Sequence, residues 1–378
     1  MENLKVALLL HFYQPWWQFP DVLHKIVDQC YRPILGLVNN LDGFCFTANI
    51  NLSLLELLDN DFPDVVAGFR KAAEKGKIEL MGSTAQHPIL PLIPEFLQRA
   101  QIRTDKEEKE NKFNIRQNCR GFYLPEMAFS GNIVGLMEEL GYGWSVMDDE
   151  PFMAKYGYAP FDHIITLNSF KLYMRSHLWS HGKDGHPGIA SGRLSFPDFK
   201  TMLDREIPSW TRNAPAYLII ATDAETFGHH HQGLIENFLE PMLTEWGNGG
   251  KITSIESLEL SFPWRSVPDL IDGSWATSAD DLRENNPYPL WNSRFNKYHS
   301  MLWELINIAL RYFQYCEQDC LKMTSSCHWW WISGRSNWEP EFMKFGARKA
   351  IEIIRKHGTP NEVSAGEDLY KELSVLSG

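Results

Sequence analysis

The sequence predicts an α/β fold, with strands and helices alternating first and helices alone following, and three observations carry that expectation. Short apolar, β-branched runs recur between amphipathic stretches over the first two thirds of the chain. Some of these runs stop abruptly on acids and histidines, as buried parallel strands do where they reach a functional rim. Beyond Pro287-Tyr288-Pro289-Leu290-Trp291 the periodicity turns helical.

In chain order the strand-like runs are 5–11, 44–51, 77–82, 121–124, 143–147, 163–167, 171–175 and 217–222. Amphipathic stretches at 62–75 and 131–140 fall between them. Right-handed crossovers would close such units into a barrel, although the pattern alone also permits an open doubly wound sheet. Segment 181–197 is rich in Gly, Ser and His and reads as a long loop, either functional or mobile. Near Ser261-Phe262-Pro263-Trp264 the strand signal ends, and 298–314 and 339–357 are the clearest later helices.

Chemistry concentrates where two strands end. Residues 218–231 read Leu-Ile-Ile-Ala-Thr-Asp-Ala-Glu-Thr-Phe-Gly-His-His-His, which puts Asp223 and Glu225 at the mouth of the barrel or sheet. About a hundred residues upstream, Gly121-Phe122-Tyr123-Leu124-Pro125 leads into Glu126. Either acid alone also fits a capping carboxylate at a strand–helix turn. Two carboxylates facing each other across a pocket are what glycosidic cleavage needs, one to protonate the leaving oxygen and one to attack the anomeric carbon.

Composition agrees with a protein that handles a neutral, sugar-like ligand. There are 36 basic and 48 acidic residues, and the resulting charge of -12 disfavours nucleic acid or an anionic membrane as partner. The 14 tryptophans matter because indole faces stack on pyranose rings. Trp16-Trp17 and Trp329-Trp330-Trp331 are the clusters; three consecutive residues cannot all point inward from one helix face. Six scattered cysteines fit free thiols, and no stretch approaches the roughly 20 apolar residues of a membrane span. The first residues read as a buried strand and not as a signal peptide, so a cytoplasmic location is expected.

Five segments in order resemble the retaining glycoside hydrolases of family 57, which include α-amylases, 4-α-glucanotransferases, branching enzymes and α-galactosidases. They are Leu10-His11-Phe12-Tyr13-Gln14-Pro15; Gly76 to Gly82 with His87-Pro88-Ile89-Leu90; Gly121 to Ser130; Asp223-Ala224-Glu225-Thr226-Phe227-Gly228; and Ser326-Cys327-His328-Trp329-Trp330-Trp331. The resemblance implies an incomplete (β/α)7 barrel over residues 1–265 and a helical region over 266–378 that completes the cleft. It also implies Glu126 as nucleophile and Asp223 as acid/base, with Asp223 holding its proton through partial burial and the nearby Glu126 charge. In a retaining enzyme the two carboxyls stand about 5 to 6 Å apart. His11, Gln14, Trp17, Glu79, His87, Asp148, Glu225, His229, His328, Trp330 and Trp331 are the expected substrate contacts. One departure stands out: the family pattern is His-x-His-Gln-Pro, and Tyr13 replaces the second histidine.

The expected activity is retaining cleavage of α-glucan, without cofactor or metal, with 4-α-glucanotransferase or α-galactosidase action as alternatives. A metal-dependent polysaccharide deacetylase is a more remote reading, prompted by His229-His230-His231 beside Asp223; adjacent histidines rarely ligate one ion together. Asp148-Asp149-Glu150 is either a helix cap or a cleft-facing acid pair. A non-catalytic sugar-binding module is disfavoured because both catalytic acids are present.

Overall fold

A computed structural model describes residues 4–211, 215–335 and 337–376, without the side chains of 207–211. The first strand, β1 (Leu4–Phe12), is buried along almost its whole length, as expected for a parallel strand covered on both faces. Next come β2 (Phe46–Ile50), β3 (Ile78–Leu80), β4 (Gly121–Phe122), β5 (Trp144–Asp148), β6 (Ile164–Leu167) and β7 (Phe170–Arg175). A small hairpin, β8 (Gly182–Lys183) with β9 (His186–Pro187), precedes β10 (Ala216–Asp223) and β11 (Trp264–Ser266).

Parallel pairing runs β3, β2, β1, β10, then β7, β5, β4. The ring closes where Gly82 bridges Phe122, through Gly82 N–H to Gly121 O at 3.0 Å and Tyr123 N–H to Gly82 O at 2.8 Å. The expected barrel is therefore present, with seven parallel strands around it and two narrow seams. At one seam glycine is needed: a Cβ on Gly121 would lie 2.4 Å from the Trp144 ring, and one on Gly82 would lie 2.7 Å from that of Tyr142. At the other, β10 meets β7 only at Ile219 and Arg175, because β6 pairs antiparallel with the earlier part of β7.

All eight expected strands form, each within three residues of its expected ends. The strands do end near Trp264 as expected, but the last of them, β11, is not among the runs read from the sequence; it adds to β6 in parallel. Its three residues are exposed, so no burial pattern marks it in the sequence. The 181–197 segment is also less irregular than a plain loop, carrying the β8–β9 hairpin and the short turn Ile189–Ser191.

Beyond the strands, helices Lys297–Leu310, Glu317–Met323, Cys327–Trp330, Pro340–His357 and Pro360–Ser374 pack together. Trp303 and Trp329 stack at 3.9 Å in their core. This region is tied to the barrel through polar contacts to the backbone of 321–326. Gln101 Nε2 donates to Leu321 O at 3.0 Å, Trp16 Nε1 to Lys322 O at 3.1 Å, and Ser326 N–H to His87 O at 2.9 Å. Those bonds bring the 325–331 segment over the carboxyl ends of the strands. Among the described residues no helix is long and apolar enough to cross a membrane.

Candidate active site

Parallel strands put their carboxyl ends on one rim, and the chemistry-bearing residues collect there. His11 ends β1 in register with Asp223 at the end of β10, and Asp148 ends β5 in register with Arg175 at the end of β7. Glu126 follows β4, and His87 follows β3. A cleft of about 460 Å³ opens between them, with Glu126 and Asp223 both in its wall.

Glu126 sits in a left-handed backbone conformation at φ 58°, as do Met127 and His87, and all three line the cleft. Such backbone is costly for residues with a side chain, and it gathers where the surroundings hold a functional geometry. Here Glu126 Oε2 accepts from Trp275 Nε1 at 2.7 Å and Oε1 from the Ser326 hydroxyl at 2.9 Å. His87 Nδ1 lies 3.5 Å from the same Oε1. Burial pushes the Glu126 carboxyl up to about 7, opposed by the Trp275 and Ser326 donors and reinforced by the charge of Asp223.

Asp223 differs. This residue is exposed at the cleft mouth. The buried acid beside it is Glu225, which accepts from Gln14 Nε2 at 2.9 Å and from the Tyr31 hydroxyl. Burial, then the charge of Asp223, pushes Glu225 up to about 8.

Four rings stack along one wall. Tyr13 lies 4.1 Å from His87, His87 4.8 Å from His11, and His11 4.6 Å from Tyr123. Burial lowers both histidines below their ordinary range, so they are neutral. His11 Nδ1 meets Asn49 Oδ1 at 2.9 Å and His87 Nδ1 meets Ser326 Oγ at 3.1 Å. Their Nε2 atoms are buried without a protein partner, which suits them to accept from ligand hydroxyls.

Of the expected contacts, His11, Gln14, His87, Glu225, Trp330 and Trp331 line the cleft. Trp17, Glu79, Asp148, His229 and His328 do not, among the described residues. Trp17 stacks at 4.4 Å on His328, which is itself fully buried and bonded to Phe342 O and Lys322 O. Glu79 accepts from the Thr47 hydroxyl and the Glu256 amide. Asp148 caps the helix Asp149–Tyr156 and pairs with Arg175 Nε at 2.7 Å and His177 Nδ1 at 3.1 Å. Burial works to raise its carboxyl, yet Arg175 and His177 hold it below the ordinary value. It stands behind Arg175, which does line the cleft. Trp329 is likewise core and not cleft, fully buried against Trp303.

The three consecutive histidines diverge. His229 Nδ1 meets Gln29 Oε1 at 2.8 Å, His231 Nε2 meets Ala190 O at 2.9 Å, and His230 lines the cleft. Sequence reasoning missed Trp275, Arg175 and His181, all of which line the cleft. Nothing local marks Trp275, whereas Arg175 ends the expected strand run 171–175 and His181 opens the segment read as a functional or mobile loop.

The sequence model of the family described as glycosyl hydrolase family 57 matches residues 9–262. Alpha-amylase 1 of Dictyoglomus thermophilum is 26% identical over 153 residues, 40% of this chain and 22% of that protein. The 4-alpha-glucanotransferase of Thermococcus litoralis is 23% identical over 154 residues, 41% of this chain and 23% of that protein. Each alignment thus spans under a quarter of the relative's length. Among solved structures, the 4-alpha-glucanotransferase from Thermococcus litoralis superposes with TM-score 0.72 at 17% identity, covering 94% of this chain and 60% of that one. A family 57-type branching enzyme from Pyrococcus horikoshii gives 0.70 at 14% identity, covering 100% and 95%.

Proposed function

Because the chain belongs to glycosyl hydrolase family 57, we propose that it is a retaining enzyme acting on α-glucan, with Glu126 as nucleophile and Asp223 as acid/base. The observation that carries this reading is the pair of acids in one cleft wall, one of them gripped by two donors. Trp275 and Ser326 stabilise the ionised form of Glu126 and aim it. Glu126 attacks the anomeric carbon as Asp223 gives its proton to the leaving oxygen; the C–O bond breaks and a glycosyl-enzyme ester forms. Asp223, now a carboxylate, takes a proton from the incoming water or sugar hydroxyl, whose oxygen displaces Glu126.

The neutral His11 and His87 accept from sugar hydroxyls, and Trp330 and Trp331 provide the stacking wall. Product analysis with maltooligosaccharides, starch and an aryl α-galactoside tests the reading. Shorter α-glucans with retained anomeric configuration are expected. Products longer than the substrate assign transfer to a sugar acceptor, cleavage of the galactoside alone assigns α-galactosidase action, and loss of activity with EDTA points to a metal enzyme instead.

A further inference from the structure

Tyr13 occupies the position where the first motif departs from the family pattern; it lines the cleft, and its hydroxyl reaches across to the helical region. That hydroxyl lies 3.1 Å from Ser325 Oγ and 3.2 Å from Cys327 Sγ, side chains more than three hundred residues along the chain. The two flank Ser326. Ser326 donates its hydroxyl to Glu126 Oε1 at 2.9 Å and its amide to His87 O at 2.9 Å, while the Tyr13 ring stacks on His87 at 4.1 Å.

We propose that Tyr13 is a positioning residue for Glu126, clamping the 325–327 segment of the helical region onto the end of β1 so that the Ser326 hydroxyl meets the nucleophile. The inference rests on Glu126 being that nucleophile. Segment 324–326 is the short link between helices Glu317–Met323 and Cys327–Trp330; the Ser326 amide on His87 O and Gln101 Nε2 on Thr324 Oγ1 already hold it, and the Tyr13 hydroxyl adds the contacts to the side chains that flank Ser326. A phenol hydroxyl is both donor and acceptor, so it engages both flanking side chains at once. Burial pushes the Tyr13 phenol well above its ordinary value, which keeps the donor proton in place. An imidazole is shorter, and at this position it would end before Ser325 and Cys327. The tyrosine at this departure thus ties barrel to helical region while still lining the cleft.

The test is a cycle of Tyr13→Phe, Ser326→Ala and the double variant, with folding checked by circular dichroism. Tyr13→Phe removes one oxygen, and it is expected to lower kcat about tenfold while KM stays within about twofold. In the Ser326→Ala background the same change costs less than about twofold, because the two residues act as one unit. A readout without turnover follows the pH midpoint of carbodiimide labelling of Glu126 by mass spectrometry. The titratable groups facing Glu126 are His87 after β3, Tyr123 after β4, Asp223 of β10, and Tyr13 and Cys327. Weakening the Ser326 bond removes a donor that favours the carboxylate, so the midpoint moves to higher pH in Tyr13→Phe. Additive losses in the cycle, a rise in KM alone, or an unmoved midpoint would overturn the clamp. A chain that turns over no α-glycoside sinks the nucleophile assignment instead, and the labelling midpoint still decides whether Tyr13 holds Ser326 on Glu126.

Discussion

Trp275 holds Glu126 twice, donating its indole N–H to Oε2 at 2.7 Å and its backbone N–H to the Glu126 carbonyl at 3.2 Å. The second bond fixes the left-handed backbone, and the first fixes the carboxylate that this backbone presents. Trp275 comes from the chain after β11, so the stretch leading into the helical region supplies part of the cradle around Glu126.

Glu126→Ala is expected to lose several orders of magnitude in kcat with the fold intact, since no other carboxylate occupies that cradle. Steady-state rates beside circular dichroism check this. Near-normal turnover by a folded variant would end the nucleophile assignment.

Asp223→Asn should be nearly dead on α-glucan yet retain more activity on aryl glycosides, whose leaving groups need little protonation. Deglycosylation then becomes slow and azide should speed it. Equal losses on both substrates with no azide rescue would contradict the acid/base role.

Glu126 must be ionised to attack, and its carboxyl sits near 7 in the free protein because of burial. The acid limb of kcat/KM should therefore fall below neutral pH, with a midpoint near 7. Stability runs the other way. Glu126 and Glu225 are raised from 4.5 to about 7 and about 8, so the folded state binds these protons more tightly than the unfolded chain does. The benefit is full below the unfolded value and is lost as pH rises through the folded ones. Thermal midpoints should drop between pH 5 and pH 8.5, about the window those values set, and Glu126→Gln should drop less. A pH-independent difference between the two proteins would contradict the burial argument.

Neighbouring tryptophans should separate by role. Trp329→Ala empties a fully buried site against Trp303 and should cost roughly 3 to 5 kcal/mol of stability. Trp331→Ala should leave stability within about 1 kcal/mol and raise KM for oligosaccharides about threefold to tenfold. Denaturant titration and kinetics on both variants distinguish them.

The strands were legible in the sequence because a strand buried on both faces is a bare apolar run, as 217–222 and 5–11 are. β11 was not, because three exposed residues at a sheet edge carry no period. The acids were legible as charges ending such runs. Trp17, Glu79 and His328 sit in matching motifs, but a motif does not say which way a side chain faces, and here they pack inward. Trp275 reaches the cleft through tertiary contacts that leave no local trace, whereas Arg175 ended an expected strand run and carried the same signal as the acids.

The two narrow seams divide the barrel into two arcs, and the two acids belong to different ones. Asp223 travels with β10, β1, β2 and β3, whereas Glu126 travels with β4, β5 and β7. Their separation is therefore not set within either arc but by the alignment of one against the other. A slip of one residue at a seam displaces a strand end by about 3.3 Å. That step is comparable to the whole difference between the carboxyl spacing that suits direct attack, about 5 Å, and the spacing that admits a water, roughly 6.5 to 9.5 Å. The side-chain-free contact of Gly82 with Gly121 thus fixes how one arc sits on the other, and a side chain at either position would meet Tyr142 or Trp144 and disturb that alignment together with the barrel itself.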